Sequence, residues 1–321
     1  MTKKVNFFEM DNVKIQRSSS RNYNLEILRI ISAFGIVLLH GADGTLEKDI
    51  GFSCLIIFML ISVYLLAPQK YYSLFVLKKV NRLLIPWLFW FFVYGLLHVM
   101  NGTSFLPVTG DIVSTVLNGP RMHLWYLPFI FITSVIIVFY YNMVEQCSIL
   151  KKYNLLFFML LSIILLIISP LWRPWSLGLG VPWRCWFLAF PAVCIGATIA
   201  NLNHHLSAHW KIILYVIIII LIAIWLILSG LPNVGLRYLF GFLLFIPAVY
   251  LKFDITHHSN IVMKLSSYTY GIYLIHPLIY SIEKKMGFSD NFIVPFITYA
   301  LSLLIIMIAN KIPVRFIKKV I

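Results

Sequence analysis

Ten apolar stretches interrupt an otherwise polar chain, at residues 25–41, 51–67, 84–100, 124–141, 153–170, 185–200, 211–230, 236–251, 267–282 and 292–310. Each holds about 16 to 20 residues, near the ~20 that a helix needs to cross a hydrocarbon core about 30 Å thick. Short segments rich in Lys, Arg, Pro, Gly and Asn separate them. The pattern predicts an all-α, polytopic integral membrane protein with about ten transmembrane helices. No internal repeat, low-complexity tract or linker divides it. A polar tail over 1–24, one membrane domain over 25–310 and a basic tail over 311–321 are expected.

Composition supports the pattern. The 321 residues are 61% hydrophobic and only 12% charged, with a mean hydropathy of +0.90. Soluble domains carry about 25% charged residues, and a soluble fold has no interior large enough for so much apolar side chain. Disorder is excluded on the same ground. Residues 1–24 are polar and no small-residue cleavage site follows the first apolar stretch, so no cleavable signal peptide is expected. The four cysteines, at 54, 147, 185 and 194, have no C-x-x-C spacing. They read as buried thiols rather than a metal or redox motif. His205 with His209, and His257 with His258, lack carboxylate or thiol partners apart from Asp254, so no metal site is expected.

A net charge of +15 raises the question of nucleic acid. The basic residues lie in short runs between apolar segments, however, which suits an anionic lipid surface and no nucleic acid. With the N-terminus in the cytoplasm, ten spans return the C-terminus there. The inside segments then hold 18 of the 26 Lys and Arg residues and the outside segments seven. This bias satisfies the positive-inside rule, with residues 101–122 and 171–184 outside.

Candidate chemistry begins in the first span, Leu25 to His40. Arg29 and His40 are eleven residues apart, so at about 100° per residue they share one helical stripe, separated by about 16 Å. Ionisable groups inside a span are costly and usually face a polar cavity or a partner. Two readings fit. One is a polar path through the bundle, with a cation at one end and a titratable base at the other. In the other, Arg29 snorkels to the inner headgroups, paired with Glu26, and His40 is interfacial.

Arg29 and His40 at this spacing resemble the signature of the acyltransferase-3 family. Four further stretches match in order. Cys54 to Leu66 resembles the family's second span, with Ser62, Tyr64 and Leu65 in place and Val63 where glycine is usual. Lys79-Val-Asn-Arg82 before Pro86 resembles its Arg-x-x-Arg step. His123-Leu-Trp-Tyr-Leu127 resembles the opening of its fourth span, and Ser267 to Pro277 its Ser-Tyr-x-x-Tyr-Leu-x-His segment. The resemblance runs from about residue 22 to 310. It implies a membrane enzyme that transfers an acyl group, acetyl by default, from acyl-CoA to a sugar hydroxyl of a cell-envelope glycan or polyprenyl-linked saccharide. It also implies the inner, plasma membrane of a bacterium.

On this resemblance His40 is the general base, since imidazole titrates near neutral pH. Arg29 stays protonated and would hold the donor's phosphates or carbonyl. Asp43, one turn on, either orients the imidazole or is a solvated loop acid. Lys79 and Arg82, with Ser62, fall on the inner side as donor-binding candidates; the alternative is positive-inside charge without a ligand. On the outer side, His123, Trp125 and Arg184 are acceptor-binding candidates, within a set that includes Arg121, Trp172, Arg173, Trp175, Trp183 and Trp186. Aromatic faces can stack on sugars and Arg can clamp a diphosphate, or the same residues form an interfacial belt. Tyr273 and His276 share a helical face, as a second polar cluster or as helix–helix hydrogen bonds. No metal or permanently bound cofactor is expected. The competing function is a transporter or flippase of lipid-linked sugars, which should show broken helices and related halves.

Overall fold

The computed structural model describes residues 22–41, 44–108, 110–203, 209–251, 259–288, 291, 293–314 and 320. The expected sites Asp43, His205, His257 and His258 lie outside them. The described residues are helical: α1 (Tyr23–Gly41), α2 (Thr45–Tyr64), α3 (Tyr72–Lys79), α4 (Ile85–Met100), α5 (Ile112–Asn118), α6 (Tyr126–Gln146), α7 (Ser148–Ile167), α8 (Ser169–Gly178), α9 (Trp183–Asn203), α10 (His209–Leu228), α11 (Pro232–Tyr250), α12 (Ser259–Lys285) and α13 (Val294–Ala309). A π-helical turn, Val80–Leu84, joins α3 to α4, and a 3-10 turn, Met122–Trp125, leads into α6. All ten apolar stretches fall on helices. Among the described residues, seven helical units are long and apolar enough to cross a membrane: α1, α3–α4, α6 with its leading turn, α7, α9, α10 and α11. The chain is a multi-pass membrane protein.

Polarity sorts the helices between lipid and interior. α10 has the highest hydropathy, yet only 28% of its span is buried, against 72% for α9. Lipid tails are as apolar as Leu, so the most uniformly apolar helix can stay on the periphery while helices with small and polar residues pack inside. α1 sits centrally, against α2, α11, α12 and α13. Its approach to α2 is close: a Cβ on Gly35 would fall 2.2 Å from the Cys54 sulfur, and one on Gly51 would fall 2.7 Å from the Gly35 carbonyl oxygen. Val63, where the resembled motif has glycine, is fully buried. It packs on Gly196 of α9, whose added Cβ would lie 3.2 Å from the Val63 Cβ.

Several expected boundaries need correction. The stretch expected over 84–100 starts earlier, because α3 and the π turn carry the basic step Lys79 to Arg82 into α4 as one helical unit from Tyr72 to Met100. The stretch 153–170 ends early, at Ile167. Pro170 lacks the N–H that would continue the ladder and instead sits in the first turn of α8. The segments 101–122 and 171–184 also contain helical residues, α5 and the greater part of α8. Asp111 starts α5 by accepting a bond from the Ser114 amide at 2.7 Å. Of the four thiols, Cys54 and Cys194 are buried, whereas Cys147 and Cys185 are partly exposed.

Candidate active site

At its C-terminal end, α1 carries His40 to a cluster of rings. The His40 and His276 ring centroids are 5.2 Å apart, and His276 lies 5.6 Å from His123. Tyr94 and Tyr273 flank His123 at 5.3 and 5.6 Å. Four elements therefore converge: α1, α4, the turn before α6, and α12. Hydrogen bonds fix the outer members. The Tyr273 hydroxyl donates to the His123 carbonyl, and the Tyr94 hydroxyl donates to the Leu274 carbonyl at 2.7 Å. His276 Nδ1 lies 3.2 Å from the Ile272 carbonyl. A carbonyl only accepts, so Nδ1 carries the hydrogen, and in the neutral ring Nε2 keeps its lone pair. The Nε2 atoms of His123 and His276 are buried with no partner among the described residues. His40 is half-buried and hydrogen-bonds to no described residue.

His40, His123 and Tyr273 face a cavity of about 390 Å³. Trp125, Phe52, Leu55 and Leu188 supply apolar wall. Lys48, Arg173, Arg184 and Arg237 supply charge, and no acidic side chain is among the described lining residues. Arg237 is fixed twice, by a 2.8 Å ion pair to Asp49 and by a 3.8 Å stack on the Phe52 ring. Arg173 donates to the Arg184 carbonyl at 3.0 Å, and its Nε is buried without a partner. Burial, then the nearby Arg237 charge, lowers the Arg173 pKa to about 10, which still leaves it cationic at neutral pH. Among the described residues, no group of three His, Cys, Asp or Glu side chains is arranged to hold a metal ion.

The opposite end of α1 is built differently. Arg29 donates through one terminal nitrogen to both Glu26 oxygens, at 2.9 and 2.8 Å, and Ser266 of α12 donates to the same carboxylate. One turn along α12, the Tyr270 hydroxyl donates to the Arg82 carbonyl at 3.1 Å. Lys79 reaches the Ser134 hydroxyl at 3.3 Å. α12 thus gathers Arg29 and Arg82 at one end of the bundle. Between this end and the imidazoles stands Tyr126, near both Ser62 and Arg29, with its ring 5.5 Å from that of Tyr273.

Residues 22–311 match the family model of acyltransferase-3, described as an acyltransferase domain. The chain belongs to the acyltransferase-3 family. No curated protein and no solved structure matches it. Acyltransferase-3 membership implies acyl transfer from a donor to an acceptor, which a carrier of unmodified sugars would not perform.

The sequence-derived residues of this acyltransferase-3 protein fall into two groups. His40, His123, Trp125, Arg184 and Tyr273 line the cavity, and His276 packs behind them. Arg29, Ser62, Lys79 and Arg82 lie away from it, and Arg29 pairs with Glu26 rather than approaching His40. Trp172, Trp175, Trp183 and Trp186 also fall away from the cavity lining. Trp172 donates to the Leu165 carbonyl, Trp183 donates to Ser114, and Trp186 packs on Phe129. Tyr94, Lys48 and Arg237 belong to the site and were not singled out from sequence. Arg237 had a readable signal, a cation at the edge of an apolar stretch. Tyr94, inside a run of aromatics, had none.

Proposed function

We propose that the protein is an integral-membrane O-acyltransferase. It moves an acyl group, acetyl by default, from cytoplasmic acyl-CoA to a hydroxyl of a cell-envelope glycan or polyprenyl-linked sugar at the bacterial plasma membrane. His40 carries this reading: a half-buried imidazole on a cavity wall, without a hydrogen bond to any described residue and backed by two further imidazoles. A base in that position can take the proton of an acceptor hydroxyl. The hydroxyl oxygen then attacks the thioester carbonyl, the C–S bond breaks, and the imidazolium returns the proton to the departing thiolate. The products are an ester and free CoA. The His276 ring, 5.2 Å away and with its Nε2 lone pair unpartnered among the described residues, can stabilise the protonated His40 ring.

Both termini are cytoplasmic in this reading, with the tails 1–24 and 311–321 on that side, as the charge bias favours. Lys79, Arg82 and Arg29 then meet the donor's phosphates. Glu26 occupies one nitrogen of Arg29, and the planar group has others. The pantetheine arm, long and thin, would follow the hydroxyls of Ser62, Tyr126 and Tyr273 toward His40. Asp43, just beyond His40 in sequence, is a candidate to orient the imidazole. Purified protein supplied with labelled acetyl-CoA and envelope glycans should transfer label, and should lose transfer as His40→Gln. Passage of unmodified lipid-linked sugar without acylation would favour a carrier instead. A cysteine introduced at position 105 should react with impermeant reagent from outside; reaction only from the cytoplasm would reverse the topology.

A further inference from the structure

The cavity beside His40 is richer in cations than hydroxyl recognition requires. A neutral sugar is bound by neutral donors and acceptors and by ring stacking. Here four cationic side chains line one chamber, from α2, α8, α9 and α11. Arg173 and Arg237 are more than nine-tenths buried, at 6% and 9% exposure. Placing guanidinium groups out of water is costly unless an anion or several acceptors meet them. Arg237 has that compensation in Asp49. Neither Arg173 nor Arg184 takes part in an ion pair among the described residues. Arg173 has one carbonyl acceptor, from Arg184, and a buried Nε with none. Among the described residues Arg184 meets only sulfur, the Met122 thioether at 3.9 Å and the neighbouring Cys185 thiol, and no oxygen acceptor.

Taking the acyl-transfer reading as its basis, we propose that the acceptor is anionic, and that Arg173 and Arg184 bind its carboxylate or phosphate while His40 takes the proton of a nearby hydroxyl. The planar guanidinium fork suits either group, through paired parallel bonds. Arg237 is clamped between Asp49 and the Phe52 ring, so it contributes field rather than a free fork. The cavity volume, about 390 Å³, is at the low end of small-molecule sites. It fits one sugar residue with its charged substituent. The anion and the reacting hydroxyl therefore belong to the same or the adjoining residue. A uronic acid, a lactyl-bearing amino sugar and a sugar phosphate all have this form.

The experiment compares envelope glycans from cells with and without the protein by mass spectrometry. The acylated sugar found only with the protein should carry, or directly adjoin, a carboxylate or phosphate. An acylated neutral sugar with no charged neighbour overturns this inference and leaves the acyl-transfer reading intact. Absence of any acylated difference overturns both. If the charge proves to be on the transferred acyl group, as in a succinyl ester of a neutral sugar, the inference is also overturned. Purified Arg173→Gln and Arg184→Gln variants supply the second measurement. With the anionic acceptor so identified, each should raise the acceptor KM about tenfold, the loss of one charge-assisted bond, and should spare its methyl ester or dephosphorylated form. Equal loss on charged and neutralised acceptors would assign the two residues to structure alone.

Discussion

The two ends of α1 bear the same kind of residue, an ionisable group on one stripe of one helix, and receive opposite treatment. At the first end, Arg29 has a carboxylate on its own helix one turn back, and Ser266 supports that carboxylate from α12. At the other end, His40 has no such partner among the described residues; it meets His276, which in turn meets His123, and the Nε2 atoms of both are unsatisfied among those residues, beside a cavity walled by cations. Buried polar groups are normally hydrogen-bonded. A cluster of exceptions next to a cavity marks where a ligand completes the bonding, whereas a satisfied pair marks a group already provided for. Spacing in the sequence makes the two ends equivalent. Satisfaction of their hydrogen bonds separates them.

Substitutions can break or sharpen this contrast. The largest effect belongs to His40→Gln, which keeps hydrogen bonding and loses the proton acceptor. Turnover should fall by roughly 10² or more while membrane insertion and melting stay near wild type. A His40→Gln protein that acylates at the wild-type rate would remove His40 as the base. Next is Tyr273→Phe, which deletes the hydroxyl bonded to the His123 carbonyl. A buried hydrogen bond is worth about 1 kcal/mol. The looser His123 turn should cost about fivefold in turnover, read as kcat with donor KM steady.

At the other end the effects should be smaller and of another kind. The double variant Lys79→Ala/Arg82→Ala should raise donor KM several-fold with kcat nearly steady, the signature of lost uniform binding. Unchanged donor kinetics would return both residues to the role of topology-setting charge. Smallest of all is the contribution of the Arg29–Glu26 pair. The pair is partly exposed, with side chains at 27% and 13%, so a double-mutant cycle on thermal stability should give about 0.5–1 kcal/mol. Arg29→Ala should in addition weaken donor binding, and Glu26→Gln, which frees the guanidinium, should not. If both variants lower stability and neither alters donor kinetics, the Arg29 end of α1 is purely structural and the contrast becomes sharper.

Much of this protein was determined by the order of its side chains alone. Ten apolar stretches near bilayer length fall on helices because a backbone in lipid must satisfy its own hydrogen bonds. Arg29, His40, Lys79, Arg82, His123 and Tyr273 were readable as chemistry because ionisable or polar groups in or beside such stretches are costly and need a reason. Helix ends were less legible: the run Lys79 to Arg82 looks like a loop by charge, yet it is helical, because long cationic side chains can extend along a helix toward the interface. What only the tertiary structure decided is which of these groups meet. His40, His123 and His276 are far apart in sequence and come together through the packing of α1, the turn before α6, and α12. Arg173, Arg184 and Arg237, from α8, α9 and α11, gather around the same cavity. Periodicity specifies the face of a helix, but the neighbour of that face depends on close contacts such as those at Gly35, Gly51 and Gly196, where the absence of one Cβ sets how closely two helices approach.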